Sequence, residues 1–283
     1  METLVEGRAF LEGPRWHVDS DGLGALFVSD MHAHEVLRVG ADGSVTVVAA
    51  LADAPSGLGW LPDGRLLIVS MDDRRLLRLE PDGSTVEAAD CSALASHEIN
   101  DMVVDRHGHA FISQFGSDFH AGEPMVASPV LRADPDGSVR AASDGLRMAN
   151  GMVIAADGCT LIVAESAGRR LTSFDLADDG TLTGQRVWAD LPPGDYPDGI
   201  CIDAEDAVWV AGPASDRFVR VLEGGEVTDI VEVRGRHAIA CAIGGTSGHT
   251  LFMCTSPTHG QPDESRAARG AKVEITEVAV PAA

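Results

Sequence analysis

One phrase recurs along this chain and restricts what it can fold into. Its clearest copy runs Ala149-Asn150-Gly151-Met152-Val153-Ile154, then Asp157-Gly158, then Thr160-Leu161-Ile162-Val163-Ala164-Glu165. A polar residue opens a short apolar strand, an Asp-Gly pair turns the chain, and a second apolar strand returns. Asp-Gly between two apolar runs is a strong hairpin signal because the turn needs positive φ. The same phrase opens at Glu12, Ser56, Asn100, Asn150 and Asp198, with a worn sixth copy at Ala240, so the steps are 44, 44, 50, 48 and 42 residues. Outer strands follow in each unit, as in Glu35 to Val39 and Val45 to Val48 around Asp42-Gly43, or Arg75 to Leu79 before Asp82-Gly83. A period near 45 with four short strands per unit marks a propeller blade. The expected fold is therefore all-β, a six-bladed β-propeller forming a single domain over residues 1–283.

The alignment has a geometric consequence. If each repeat is a blade whose first strand lines the central channel, equivalent positions form a ring at one end of that channel. The ring residues are Glu12, Ser56, Asn100, Asn150, Asp198 and Ala240; five of these six side chains carry oxygen, the alanine being the exception, and two are carboxylates. Oxygens converging on one point suit a hard divalent cation. Asn or Asp before Gly is also a common turn pair. Glu12 at the matching position has no such turn role and favours the ring reading.

Leu4 to Phe10 reads as a strand ahead of the first repeat, and Lys272 to Val278 alternates as a strand at the far end. A propeller must join its ends or leave open edges, so the N-terminal strand is expected to complete the last blade beside the C-terminal one. Thr258 to Ala271 reads as a loop. The longest connection, Phe115 to Pro129, is expected to lie over the channel mouth as a lid or to be a plain surface loop.

The formal charge of −23 argues against nucleic acid and anionic membranes as partners. No run approaches the ~18 apolar residues of a membrane helix, and Met1 to Phe10 lacks a signal-peptide core, so a cytoplasmic location is expected. Five cysteines without a CxxC favour neither a disulfide framework nor a thiolate zinc site. His32-x-His34 would share one strand face if that segment were a strand. A serine nucleophile at Ser56 would need a GxSxG-like elbow, which is missing.

Glu12-Gly13-Pro14-Arg15-Trp16, Asn100-Asp101, Asn150-Gly151, Pro197-Asp198-Gly199 and Cys241-Ala242-Ile243-Gly244-Gly245, in this order and spacing, resemble the senescence-marker-protein/gluconolactonase/luciferin-regenerating-enzyme (regucalcin-like) family. The resemblance covers essentially the whole chain. It implies a six-bladed propeller with one divalent cation, whose direct ligands fall on Glu12, Asn150 and Asp198, with Asn100 close by. Calcium is the first expectation; zinc, magnesium and manganese also accept oxygen ligands. The resemblance further implies an arginine two residues before the third-repeat asparagine in members that handle sugar lactones. Here that residue is Glu98, an acid that would repel sugar acids.

The chemistry expected of such a ring is metal-assisted attack of water on a small-molecule lactone or other ester-like substrate. Asp198 is the candidate general base as well as a ligand. Asn100, Glu98, Ser56, His120 and Trp16 are the candidate substrate-binding residues, with Phe115 as a further wall. Two alternatives stand beside a lactonase: the same ion acting on another electrophile (a phosphotriester, or a non-hydrolytic hydration or isomerisation), and a non-catalytic ligand-binding propeller. The sequence does not disclose an oligomeric state.

Overall fold

A computed structural model describes residues 1–19, 22–118, 121–258 and 261–283. The described residues form six four-stranded antiparallel sheets. The innermost strands of blades I to VI are Leu11–Val18, Pro55–Trp60, Ile99–Val104, Ala149–Ile154, Ile200–Ile202 and His237–Gly244. Each is followed by three further strands in chain order, except in blade VI. There the outermost strand is Glu2–Arg8, paired antiparallel with Ala271–Glu277. The N-terminal strand thus closes the disc against the C-terminal one, as the need to cover open edges implied. The crossing from that strand into blade I is pinned by buried Asp30, whose Oδ1 accepts from the backbone N–H groups of Ala9 at 3.1 Å and Phe10 at 3.0 Å.

The apolar pattern of the second strands explains how the blades stack. Leu66–Ser70 is buried at every residue rather than at alternate ones. Successive side chains point to opposite faces, and both faces of a blade meet a neighbour. Leu66 and Ile68 pack toward blade I beside Phe27, whereas Leu67 and Val69 pack toward blade III beside Met102 and Ile112. The same division repeats around the disc, giving one hydrophobic cluster at each of the six interfaces between blades. An all-apolar strand here signals two buried faces, not a parallel sheet.

Asp-Gly turns also repeat. Among them are four in which the aspartate accepts from the backbone N–H two residues on: Asp42 from Ser44 at 3.0 Å, Asp82 from Ser84 at 2.9 Å, Asp136 from Ser138 at 2.9 Å and Asp157 from Cys159 at 2.7 Å. Part of the acidity is therefore turn chemistry.

Two expectations are corrected. The 258–271 segment, read as a loop, contains a helix, Pro262–Ala268. Its proline in the first turn followed by Asp263 and Glu264 is a good N-terminus, but two turns are too short to show a helical period. His32 and His34 do not share a strand face. They sit on a 3-10 turn, Met31–Ala33, which ends with His34 in the left-handed region, and His32 stacks on Phe10 with ring centroids 4.8 Å apart.

Candidate metal centre and the cavity above it

The ring inferred from the repeats exists. Glu12, Ser56, Asn100 and Asn150 lie at the starts of the first four inner strands, and Asp198 lies two residues before the fifth. Strand pairing slips register at this level in blades I to IV, between Glu12 and Arg15, Pro55 and Leu58, Ile99 and Met102, and Ala149 and Met152. Such irregularities re-aim a side chain, here toward the channel.

The glycines after the ring residues have a different job from the one their sequence suggests. Gly151 and Gly199 are not turn glycines. A Cβ on Gly151 would stand 2.7 Å from the Asp198 carbonyl oxygen and the Ile200 nitrogen, and one on Gly199 would stand 2.4 Å from the Ala240 Cβ. Adjacent inner strands come this close at the channel mouth, close enough for Gly199 N–H to donate to the Ile239 carbonyl at 3.0 Å. Close approach is what brings ring side chains from separate blades into contact.

A directional chain of hydrogen bonds results. Ser29 Oγ donates to the Ser56 carbonyl at 2.6 Å, Ser56 Oγ donates to Asn100 Oδ1 at 3.0 Å, and Asn100 Nδ2 donates to Asn150 Oδ1 at 2.8 Å. Asn150 in turn hydrogen-bonds the Asp198 carboxylate. Glu12, 4% exposed, completes the ring, and its Oε2 has no hydrogen-bond partner. Burial raises the Glu12 carboxyl well above its ordinary range, with the charges of Asp198 and Asp101 adding to the effect. Burial pushes Asp198 up to about 7, opposed by the Asn150 hydrogen bond. The nearest cation, Arg15, is committed elsewhere: its Nη2 donates to Asp101 Oδ1 at 2.7 Å and to the Met102 carbonyl at 2.8 Å.

Two desolvated carboxylates face each other with one oxygen unpaired. A carboxamide oxygen lies beside them, its second lone pair uncommitted. This donor set fits a hard divalent cation held by Glu12, Asn150 and Asp198. Among the described residues there is no group of three or more His, Cys, Asp or Glu side chains positioned for a metal, so the Asn150 amide oxygen is a needed addition to the two carboxylates in this donor set.

The proton balance carries a prediction. Without a cation, the folded chain keeps a proton on Asp198 that the unfolded chain has released. The contribution of this carboxyl to stability is therefore greatest below about pH 4 and is lost as the pH rises through about 7. With chelator present, the urea midpoint should be lower at pH 8 than at pH 5. Adding a divalent cation, or making Asp198→Asn, should shrink that difference; an undiminished difference in both would assign it to other acids.

Above the ring is a cavity of about 750 Å³ with Glu12, Asn100, Asn150 and Asp198 among its walls. Two further tiers follow the repeat. In blades I to V the residue two before the ring position contributes Phe10, Ala54, Glu98, Met148 and Tyr196, and the residue just after the second strand contributes Met31, Met71, Phe115, Ser166 and Pro213. Most of these walls were not read from the sequence, although the same alignment holds the signal. Met148 sits at φ 60, a left-handed conformation rare for such a residue. The 115–129 connection supplies Met125 as well as Phe115.

The remaining site candidates divide. Glu98 and Asn100 line the cavity. Ser56, fully buried, stands behind Asn100 and orients its amide rather than lining the cavity. Trp16 is absent from the walls; it lies stacked on Phe252 with centroids 5.4 Å apart, in the interface between blades VI and I. It falls four residues down the strand from Glu12, away from the mouth. His120 lies outside the described residues. The pair Asp101–Arg15, which the sequence reading left without a role, sits directly against the ring.

Fold and site together define a six-bladed propeller with an acid-and-amide ring at the floor of a deep cavity. The chain belongs to the SMP-30/Gluconolactonase/LRE-like family, which it matches over residues 10–257. It is 24% identical over 262 residues to pentonolactonase XacC of Haloferax volcanii, covering 90% of this chain and 86% of that one. It is 28% identical over 199 residues to lactonase drp35 of Staphylococcus epidermidis, covering 66% of this chain; the match spans only 60% of that relative's length. The crystal structure of a calcium-binding protein, regucalcin, from Agrobacterium tumefaciens superposes with a TM-score of 0.82 at 22% identity, covering 100% of this chain and 95% of that one. No helix among the described residues is long and apolar enough to cross a membrane.

Proposed function

We propose that this protein is a divalent-metal-dependent lactonase. The observation that carries the reading is the unpaired, buried Glu12 Oε2 beside Asp198 and Asn150 on the cavity floor. The pentonolactonase and lactonase names of its relatives support the choice of a lactone. The calcium-binding regucalcin structure supports an oxygen-ligated ion, with calcium as the first choice. When bound, the ion would act as a Lewis acid on the lactone carbonyl.

The residues of the chain do the rest. Glu12 is buried and reserved for holding the ion. Asp198, half-buried and facing the cavity, takes a proton from the attacking water. The water oxygen bonds to the acyl carbon, the ring C–O bond breaks, and the freed alkoxide receives the proton to give a hydroxy acid. Asn100 has one amide proton committed to Asn150; its other can meet a substrate oxygen.

Acid release from a lactone panel, followed with a pH indicator, tests this. Chelator should abolish release, and one divalent ion should restore it. A silent panel with ion binding intact would move the assignment to another electrophile. Activity that persists through chelation would remove the metal from the account.

A further inference from the structure

Building on the lactonase reading, we infer that this site takes a lactone carrying a bulky hydrocarbon group and no anionic group, with Glu98 and Asp72 setting the charge preference. The argument begins with the walls. Above the ring, the cavity surface is dominated by Phe10, Met31, Met71, Phe115, Met125 and Met148. Four of the chain's eight methionines are therefore spent on one cavity. Methionine is unbranched and polarizable and conforms to hydrocarbon of varied shape. A polyhydroxylated ring would need a partner for each hydroxyl, and desolvated hydroxyls left unpaired are costly. The polar groups on these upper walls are Ser166, Tyr196 and Gln261, with Arg266 lying beside His34 at 3.3 Å and against the His32 carbonyl at one side. The cavity volume of about 750 Å³ falls in the range of sites that enclose a drug-sized ligand, so a single small lactone ring would leave most of it unfilled.

The charges point the same way. Glu98 and Asp72 both line the cavity, and no side chain among the described residues donates to the Glu98 carboxylate. Arg266 is the single Arg or Lys among the described lining residues. It is already engaged, donating to the His32 carbonyl at 2.9 Å and pairing with Asp263 at 3.2 Å. An anionic substituent on these upper walls would therefore meet the Glu98 and Asp72 carboxylates and no unengaged Arg or Lys, with His32 and His34 the imidazoles there. A neutral substituent meets hydrocarbon, and an ammonium group meets carboxylates.

Two ladders test this. The first is a series of γ-lactones with side chains lengthened one methylene at a time, run beside glucono-δ-lactone. The second holds chain length constant and ends the chain in methyl, carboxylate or ammonium. Both are read as kcat/KM, and in parallel as calorimetric Kd for the matching γ-lactams, which are not opened. Each of the first few methylenes should raise kcat/KM and tighten lactam binding about fourfold. The carboxylate compound should be worse than the methyl one by about tenfold or more, and the ammonium compound no worse. Glu98→Gln should narrow the carboxylate gap. Met148→Asn, which keeps a residue tolerant of left-handed backbone, should flatten the chain-length slope.

A flat slope in both readouts, or a carboxylate compound equal to its methyl partner, would overturn the inference. Lactams that follow both ladders while no lactone is opened would uphold the occupant and refute the lactonase reading.

Discussion

Asp198→Asn is expected to lower kcat/KM on any lactone the protein opens by about 10²–10⁴-fold, the range for loss of a general base, while the chain still binds one divalent ion with reduced affinity. Glu12→Gln should do the opposite. It removes a buried ligand charge, so ion affinity falls steeply, and activity returns when the ion is supplied in excess. The contrast comes from position. Glu12 is 4% exposed with an oxygen that has no hydrogen-bond partner, whereas Asp198 is only partly buried at the cavity floor. Calorimetric titration beside steady-state kinetics separates the two. Equal loss of turnover in both, with no rescue of Glu12→Gln by added ion, would withdraw the general-base role from Asp198.

Gly199→Ala is the second large effect. The new Cβ would lie 2.4 Å from the Ala240 Cβ and 2.7 Å from its Cα, and neither atom belongs to a flexible side-chain tip. Overpacking of this kind costs about 1–3 kcal/mol or more, and relief requires blades V and VI to part at the channel mouth. Asp198 is the preceding residue, so ion affinity should fall along with stability. Gly64→Ala is the control. It faces open space at φ +84, and its cost is the conformational strain alone. Urea midpoints and ion titrations on both variants decide the matter. A Gly199→Ala chain that unfolds and binds as Gly64→Ala does would mean that the tight strand contact does not set the ring.

How much of this was legible in the residues depends on whether the repeat expressed it. The six blades and the ring followed from period and alignment, because a propeller places equivalent positions on one circle whatever their chemistry. Closure by the first strand was legible because an unpaired edge is costly and a strand-like segment lay at each end. The alignment could have yielded more. Counting two residues back from the first five ring positions gives Phe10, Ala54, Glu98, Met148 and Tyr196, a tier of the cavity in which only Glu98 was an expected site residue.

What failed was chemistry that belongs to one blade alone. Trp16 looks like a pocket wall because it lies close to Glu12 in sequence, yet a strand carries it four residues along the channel into an interface between blades. Ser56 shares the ring but is fully buried behind Asn100. The Pro262–Ala268 helix is too short for periodicity to reveal it. The glycine after Asn150 and Asp198 reads as turn chemistry in one dimension. Its collision partners, such as Asp198 for Gly151, lie on a neighbouring blade and become visible only in three.

The most direct test is a crystal of the protein soaked in manganese, with anomalous scattering recorded above and below the metal edge. A single peak should stand between the carboxylates of Glu12 and Asp198 and the Asn150 carboxamide oxygen, at the floor of the cavity. A map with no peak there, or with the ion held elsewhere while the Glu12 carboxylate stays unliganded, would contradict the account.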